Sequence, residues 1–449
     1  MPDLAVLGTI LLRHMEARRG EMLGALRVLV EHESPSRDKP ALDALADRLT
    51  ARFERFGGVV ERRANPEGGD HLLIRFESDE SKPPGASPGD SVQAHRPDAP
   101  LLTPPLTKGG PGGVGPGPAL TAGPDTPFIP PLARGEVGKQ TSRHATVSPA
   151  LVMAHFDTVW PAGTLARMPF RIDGDRVRGP GVYDMKASLI LAEFAVRALI
   201  ELRQTPPRPL VLLLTSDEEI GSPTSRGLIE ETARGAAYVL VPEPPTAAGA
   251  LKTARKGVGR FRLAVTGRAA HAGVEPEKGV NAIVELARQI LNVQGLADPG
   301  LGTSVNVGLV TGGTTPNVVP ASALAEVDVR VTTAAEARRI ETAMAALSAA
   351  TTGAALCVSG GFNRPPMERT PGVAALFERA RVIGAALGMD LREGSTGGAS
   401  DGNFTAALGV PTLDGLGTNG GGAHADDEHI LIDDLSRRAA LLAMLLLGL

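Results

Sequence analysis

Short apolar runs recur along this 449-residue chain, and they constrain its fold more than any other feature. They cover residues 71–76, 150–154, 209–215 and 237–241. Runs of this length suit strands that are buried on both faces of a sheet. Helical stretches at 187–202 and 225–233 separate the later runs. This alternation predicts an α/β sheet that is covered by helices on both faces.

The pattern changes at about residue 254. Residues 259–266, 304–310 and 323–331 alternate in character, as half-buried strands do, and helices are expected at 280–293 and 335–351. Strands with helices on one face predict a small α+β domain. Because α/β character returns at residue 363, we predict that residues 254–362 form a domain inserted into a larger one, made of residues 1–253 and 363–449.

Residues 78–150 differ from the rest of the chain in composition. They hold 15 of its 37 prolines and 11 glycines, and they include two near-repeats at 104–110 and 130–136. No apolar period of 2 or 3.6 survives there, so the segment cannot bury enough surface to offset its ordering entropy. We predict a Pro/Gly-rich flexible insertion, for which the functional alternative is a Pro-rich ligand of a partner domain.

Charge and cysteine content narrow the class of protein. The chain has 46 Lys and Arg against 50 Asp and Glu, which indicates neither a nucleic-acid surface nor an anionic-membrane surface. The single cysteine, Cys357, can form neither an internal disulfide nor a Cys-rich zinc site. No signal-peptide pattern opens the chain, and its longest apolar run, residues 439–449, is too short to span a bilayer. We therefore expect a soluble, cytoplasmic protein whose metal ligands, if any, are His, Asp and Glu.

Histidine and acidic residues follow the predicted strands or lie in Gly-rich turns. In open α/β sheets, ligands bind at the carboxyl ends of strands, and acidic groups that converge there repel one another unless cations lie between them. Each of these residues alone is a weak signal, since most such residues are solvated strand ends or turns. The ordered set is far more specific. Its members are His155, Asp157, Asp184, Asp217, Glu218, Glu219, Glu243 and His424.

These ligand types suit a pair of borderline metal ions. Imidazole and carboxylate without thiolate fit Zn²⁺, with Co²⁺ or Mn²⁺ as alternatives. Each metal can take one histidine and one terminal carboxylate, from Glu219 or Glu243, while Asp184 bridges the two. A bridging water would then have its pKa lowered towards neutrality.

Two further residues are placed to support this chemistry. Asp157 stands two residues after His155 and can accept the other imidazole N–H, which fixes the tautomer. Glu218 stands next to a ligand without being needed as one. We therefore predict that Glu218 takes the proton from the bridging water.

These motifs resemble those of the dinuclear-zinc exopeptidases and deacylases, the family that includes carboxypeptidase G, acetylornithine deacetylase and succinyl-diaminopimelate desuccinylase. The resemblance covers nearly the whole chain outside residues 78–150. It is carried by His155-Phe-Asp-Thr-Val-Trp160, Gly179-Pro-Gly-Val-Tyr-Asp-Met-Lys186, Thr215-Ser-Asp-Glu-Glu-Ile-Gly221, Glu243-Pro, Gly267-Arg-Ala-Ala-His-Ala-Gly273, Gly312-Gly-Thr-Thr-Pro-Asn-Val-Val-Pro320 and the His424 loop.

The resemblance implies a zinc-exopeptidase-like α/β catalytic domain with an inserted α+β lid and dimerisation domain. It implies two Zn²⁺ per chain, with Asp157 orienting a ligand and Glu218 as general base. Residues 225–230 and 251–257 most resemble carboxypeptidase G, a subgroup that releases a C-terminal glutamate from N-acylated or peptidic substrates. The implied metal ligands are His155, Asp184, Glu219, Glu243 and His424.

The resemblance also gives the lid a role. His271 would reach the active site of the partner subunit to stabilise the oxyanion, and Asn317 lies in a motif of the same kind; the alternative for both is ordinary turn chemistry. Arg330 and Arg364 are candidates to clamp the substrate carboxylate, since a guanidinium binds it bidentately.

The chain is thus predicted to be a homodimeric zinc amidohydrolase. It would act on an N-acyl-amino-acid or a short peptide and release a C-terminal amino acid. If the protein is an enzyme of another specificity, the alternative is an N-acyl-amino-acid deacylase or a dipeptidase. If it is not an enzyme, the alternative is a binding protein on an inactive hydrolase scaffold. That alternative predicts the loss of a metal ligand or of Glu218, and all of these residues are present.

Overall fold

The computed structural model describes residues 4–76 and 147–449, which belong to one compact unit. Most of the predicted insertion lies outside the described residues. Residue 150, which composition alone places in the insertion, is the first residue of a strand. The α-helices of the described part are α1 (Leu4–Ala17), α2 (Arg19–Val30), α3 (Lys39–Glu54), α4 (Ala187–Glu201), α5 (Arg226–Arg234), α6 (Ala282–Gln294), α7 (Ala334–Ala345), α8 (Pro371–Ala386), α9 (Gly402–Ala407) and α10 (Ile432–Gly448).

An eight-stranded mixed sheet forms the centre of the molecule. Its strands are β1 (Val59–Arg63), β2 (His71–Phe76), β3 (Ala150–His155), β6 (Leu210–Thr215), β7 (Tyr238–Val241), β8 (Leu251–Arg255), β13 (Glu393–Thr396) and β14 (Thr412–Asp414), in the order β1-β2-β6-β3-β7-β14-β8-β13. All residues of β3, β6 and β7 are buried, as their continuous apolar runs predict. Because β3 runs parallel to both β6 and β7, the carboxyl ends of these three strands meet at one edge.

Helices cover this sheet because they bury their apolar faces against it. Almost every residue of α4 is buried, and α10 packs beside it in the same hydrophobic core. Helix α10 begins at Ile432, seven residues before the apolar run at its end. The run does not include the first turn, because Asp433 and Asp434 make that turn polar. A second, smaller core lies on the other face of the sheet and includes residues of α5 and α9.

A small four-stranded sheet carries the Gly-rich loop that contains His424. Its strands are β4 (Arg171–Asp173), β5 (Arg176–Arg178), β15 (Gly420–Gly421) and β16 (His429–Leu431), in the order β15-β16-β5-β4. The pairing of β16 with β5 brings the loop at 422–428 next to the turn at 179–186, which carries Asp184.

The third sheet is antiparallel and has its own hydrophobic core with α6 and α7 on it. Its strands are β9 (Gly257–Thr266), β10 (Ser304–Gly312), β11 (Ser322–Val331) and β12 (Ala355–Arg364), in the order β10-β11-β9-β12. We call this sheet and its two helices the lid.

One helix of the lid is shorter than its sequence predicts. The predicted helix at 335–351 ends at Ala345. The carboxylate of Glu285, on α6, accepts the backbone N–H groups of Ala350 (3.0 Å) and Thr351 (2.8 Å). This long-range contact supplies partners to amides that would otherwise bond within the helix, so tertiary structure overrides local propensity.

Within the described residues, no helix combines the length and the apolar character needed to cross a membrane. Cys357 lies on β12 and its thiol is free.

Candidate metal centre

His155, the last residue of β3, is buried and faces carboxylates on both sides of its ring. Its Nε2 lies 3.2 Å from Oδ1 of Asp184 and 3.5 Å from Oε1 of Glu243. Its Nδ1 lies 3.1 Å from the carbonyl oxygen and 3.3 Å from Oδ1 of Asp157. The strand therefore fixes the ring at the sheet edge, with one nitrogen held and the other turned to the acidic groups.

His424 approaches the same acidic cluster from the Gly-rich loop. Its Nε2 lies 3.4 Å from Oδ2 of Asp184 and 3.2 Å from Oε2 of Glu219. The two oxygens of Asp184 thus face different histidines, and each histidine also faces a second carboxylate. This arrangement has the layout of two adjacent metal sites that share Asp184, with Glu243 on one side and Glu219 on the other.

The donor set fits divalent cations. His155, Asp184 and Glu219 each offer a ligand atom, and these atoms lie within 4.8 Å of one another. Oε1 of Glu219 is buried and has no hydrogen-bond partner among the described residues. A buried carboxylate oxygen without a donor is costly, and a cation would satisfy it. These residues are therefore suited to hold a pair of metal ions.

The electrostatics of the chain by itself lead to the same conclusion. Hydrogen bonds to Asp184, which has the larger effect, and to Glu219 raise the pKa of His424 to about 10. Burial raises the pKa of Glu219 to about 7, against the opposing hydrogen bond with His424. Burial also acts to raise the pKa of Asp184, but its hydrogen bonds with His155 and His424 outweigh this and lower it. Burial thus disfavours the ionised form of Glu219, and a bound cation would favour it.

Asp157 joins His155 to the two glutamates that follow β6. Its carboxylate is fully buried, and its two oxygens accept the backbone N–H groups of Glu218 and Glu219, each at 3.2 Å. The sequence-based prediction placed Asp157 beside His155 only. The structure adds that this side chain also sets the backbone position of the predicted base and of one predicted ligand.

Glu218 is held by an arginine that the sequence did not connect with it. Nη2 of Arg364 donates to Oε1 of Glu218 at 2.8 Å and to its backbone oxygen at 3.0 Å, while Nη1 donates to Asp401 at 2.8 Å. Arg364 is only 5% exposed. Its role as a substrate-carboxylate clamp stays a prediction, and in the structure its guanidinium is occupied by Glu218, Asp401 and Ser222.

The lid residues lie in different surroundings from the cluster. His271 and Asn317 are exposed and close to each other, since the backbone N–H of Ala272 donates to the carbonyl oxygen of Asn317. Arg330, on β11, pairs with Asp328 at 2.7 Å and donates to the carbonyl oxygen of Gly397 at 3.3 Å. Among the described residues, the hydrogen bonds of the His271 ring are confined to its own turn, where the N–H of Gly273 donates to Nδ1 at 3.2 Å.

Two buried residues of the site were missed by the sequence reasoning. Arg255 donates to Oε2 of Glu243 at 3.3 Å and to both oxygens of Asp414, so it fixes the carboxylate of a predicted ligand. Glu428 accepts hydrogen bonds from the turn that carries Asp184. Arg255 stands in the segment 251–257 that carried part of the resemblance, but no sequence signal gave it this role.

Comparison with known proteins identifies the family. Residues 151–448 match the sequence profile of the family described as Peptidase family M20/M25/M40. The chain belongs to this family. Carboxypeptidase G2 of Pseudomonas sp. (strain RS-16) is 33% identical over 310 residues, which cover 67% of this chain and 73% of that protein.

Solved structures of low sequence identity show the same fold. An M20 family metallo-carboxypeptidase from Sulfolobus solfataricus is 17% identical with a TM-score of 0.64, covering 95% of this chain and 99% of that one. A dinuclear metal binding peptidase of the M20 family from Bacillus subtilis is 14% identical with a TM-score of 0.57, covering 96% and 98%. The predicted fold class and family are thus confirmed, and the chain is a hydrolytic enzyme.

Proposed function

We propose that this M20 hydrolase is a carboxypeptidase that cleaves an amide bond and releases a carboxylate-bearing amino acid, glutamate above all. The observation that carries the chemistry is the position of Asp184 between His155 and His424, with a second carboxylate beside each ring. The likeness to carboxypeptidase G2 supports the choice of substrate class.

The centre would hold two divalent cations, for which Zn²⁺ is the first choice and Co²⁺ or Mn²⁺ the alternatives. His155 and Glu243 would serve one ion, His424 and Glu219 the other, and Asp184 both. When bound, such ions polarise the scissile carbonyl and lower the pKa of water towards neutrality. The dinuclear metal site of the B. subtilis relative supports this stoichiometry.

Glu218 is the proposed general base. Its Oε1 accepts a hydrogen bond from Arg364, whereas no donor among the described residues contacts Oε2. Oε2 is therefore the atom that takes the proton of the attacking water and later gives it to the leaving amine. Burial raises the pKa of Glu218 well above its ordinary range, with the charge of Arg364 opposing this shift.

The lid would complete the site in a homodimer. Because the N–H of Gly273 donates to Nδ1 of His271, the proton of the neutral ring lies on Nε2. The exposed Nε2–H could then donate to the oxyanion in the partner subunit's site. Asn317, on the neighbouring turn, would bind a polar group of the substrate, and Arg330 would bind the substrate carboxylate.

A substrate panel tests this proposal. N-acyl amino acids with one acyl group and varied amino acids are incubated with protein of measured metal content, and amino-acid release is quantified. We expect the highest kcat/KM for glutamate, and release slowed by about 10²-fold or more in a matched Glu218→Gln preparation, which controls for contaminating hydrolases. Similar rates for many amino acids would favour a general deacylase, and hydrolysis of free dipeptides alone would favour a dipeptidase. Failure of metal-loaded protein to cleave any of these compounds would overturn the proposal.

A further inference from the structure

Glu428 lies in the same loop as His424, but its side chain is completely buried. Its Oε2 accepts hydrogen bonds from the indole Nε1 of Trp160 at 2.8 Å and from the backbone N–H of Gly181 at 2.9 Å. Its Oε1 accepts the backbone N–H of Tyr183 at 2.9 Å and that of Asp184 at 3.1 Å. Four donors from two segments of the chain therefore converge on one carboxylate.

Only an ionised carboxylate satisfies this set of donors. A carboxylate offers two oxygens and about four lone-pair sites, and all four donors here are N–H groups. A glutamine in its place would keep one accepting oxygen and turn an NH₂ group towards two of the four donors. At least two buried N–H groups would then lose their partners, and a buried donor without a partner is costly.

These contacts connect two segments that carry predicted metal ligands. Glu428 is four residues after His424 and binds the backbone of Asp184 itself. The turn that it holds is tight, because Gly181 has a φ of 70° and a Cβ there would lie 2.5 Å from Thr158. Displacing the Glu428 carboxylate would therefore move the Asp184 turn and the His424 loop relative to each other.

We infer that Glu428 is a positioning residue that sets the Asp184 carboxylate relative to His424, and that Trp160 is its side-chain partner in this role. The inference rests on the proposed metal centre. Partners that orient metal ligands commonly contribute 10- to 100-fold in metal affinity. Trp160 is the only tryptophan of the chain, so its fluorescence reports on this contact directly.

The test compares metal affinity in Glu428→Gln with that in Asp427→Asn, which makes the same carboxylate-to-amide change at the adjacent, exposed position. Zn²⁺ is titrated into metal-free protein while Trp160 fluorescence is followed, and affinity is measured independently by competition with a chromophoric chelator. We expect about 10-fold or greater weakening in Glu428→Gln, a shifted emission of its metal-free form, and less than about twofold change in Asp427→Asn.

Equal affinities of the two variants and the wild type would overturn the inference and leave the metal centre intact. A wild-type chain that binds no metal would overturn the proposed function and the inference together. If Glu428→Gln does not fold, Trp160→Phe carries the test by chelator competition, since it removes one donor and keeps an aromatic ring. We expect several-fold weaker binding there, and wild-type affinity in that variant would contradict the role of Glu428.

Discussion

Two regions carry residues that were predicted to act in catalysis: the acidic cluster around Asp184 and the lid turn with His271 and Asn317. They differ in how many of their contacts a single chain provides. In the cluster, His155, Asp157 and Glu243 are buried, and their partners come from several strands and loops. In the lid turn, His271 and Asn317 are exposed and their described contacts are local. The comparison suggests that one chain builds the metal centre, whereas the lid residues become functional only against another surface.

Metal removal should have the largest effect, because it takes away the ions that the acidic cluster would hold. We expect a chelator to abolish activity, and Zn²⁺, Co²⁺ or Mn²⁺ to restore it at about two ions per chain. Metal analysis and hydrolysis rates of the same samples measure this. Full activity in protein shown to be metal-free would remove the cluster from the mechanism.

Replacing the base should separate chemistry from metal binding within the cluster. We expect Glu218→Gln to keep its metal while kcat falls by about 10²-fold or more, since the amide cannot accept the proton. Glu219→Gln is the matched control, and it should lose metal, because Oε1 of Glu219 is the buried oxygen without a partner. If Glu218→Gln lost the metal and Glu219→Gln kept it, the two assignments would be exchanged.

The role of His271 decides whether the lid acts across a dimer. Removing one oxyanion donor commonly costs about 3–4 kcal/mol, or roughly 10²- to 10³-fold in kcat. We therefore expect a His271→Ala homodimer to be nearly inactive with its metal bound. Analytical ultracentrifugation of the variant and the wild type checks that both have the same oligomeric state.

Mixed dimers show in which subunit His271 acts. In a heterodimer of His271→Ala with Glu218→Ala, a trans-acting histidine leaves one site with both groups, and about half of the wild-type activity should return. A cis-acting histidine leaves each site without one group, and no activity should return. The heterodimer of wild type with the double variant gives the reverse result and serves as the control. Activity in that control alone would refute the trans role.

The parts of the site that the sequence predicted have a local signal. His155 ends an apolar strand, and Glu219 and Glu243 follow two others, so their convergence at one sheet edge follows from parallel strands. Glu428 has no such signal, because it stands in an Ala-Asp-Asp-Glu run whose other members are exposed. What makes it different is a contact with a turn more than 240 residues earlier in the chain. Arg255 and Arg364 were likewise invisible as partners of glutamates, since only the fold brings them together.

The fold was predicted in the same way, where the period of apolar residues decides the structure. Four strands of the central sheet, β2, β3, β6 and β7, match their predicted apolar runs within a residue, whereas the other four strands had no such prediction. The end of α7 does not, because the carboxylate of Glu285 is on another helix and captures the amides of Ala350 and Thr351. Sequence patterns therefore locate elements and candidate ligands, whereas side chains that bind a distant backbone need the structure.

The smallest effect is expected for the removal of residues 77–146, which include none of the predicted site residues. Phe76 and Ala150 both pair with Leu210, one on each side of β6, so the two ends lie about 10 Å apart. Residues 147–149 with about three added Gly or Ser residues can span roughly 20 Å. The deletion can thus close the chain without moving β2 or β3.

Shortening this connection should leave the fold at least as stable. Each doubling of a flexible loop costs about 0.6 kcal/mol. If the insertion is flexible, as its composition predicts, reducing the 73 residues between Phe76 and Ala150 to about six removes up to about 2 kcal/mol of closure cost. We expect kcat/KM within about twofold of wild type and an equal or higher Tm. A second variant with about ten linker residues controls for strain at the junction. If both variants fold and bind metal but lose most of their activity, residues 77–146 contribute to the active site in a way that metal binding does not require.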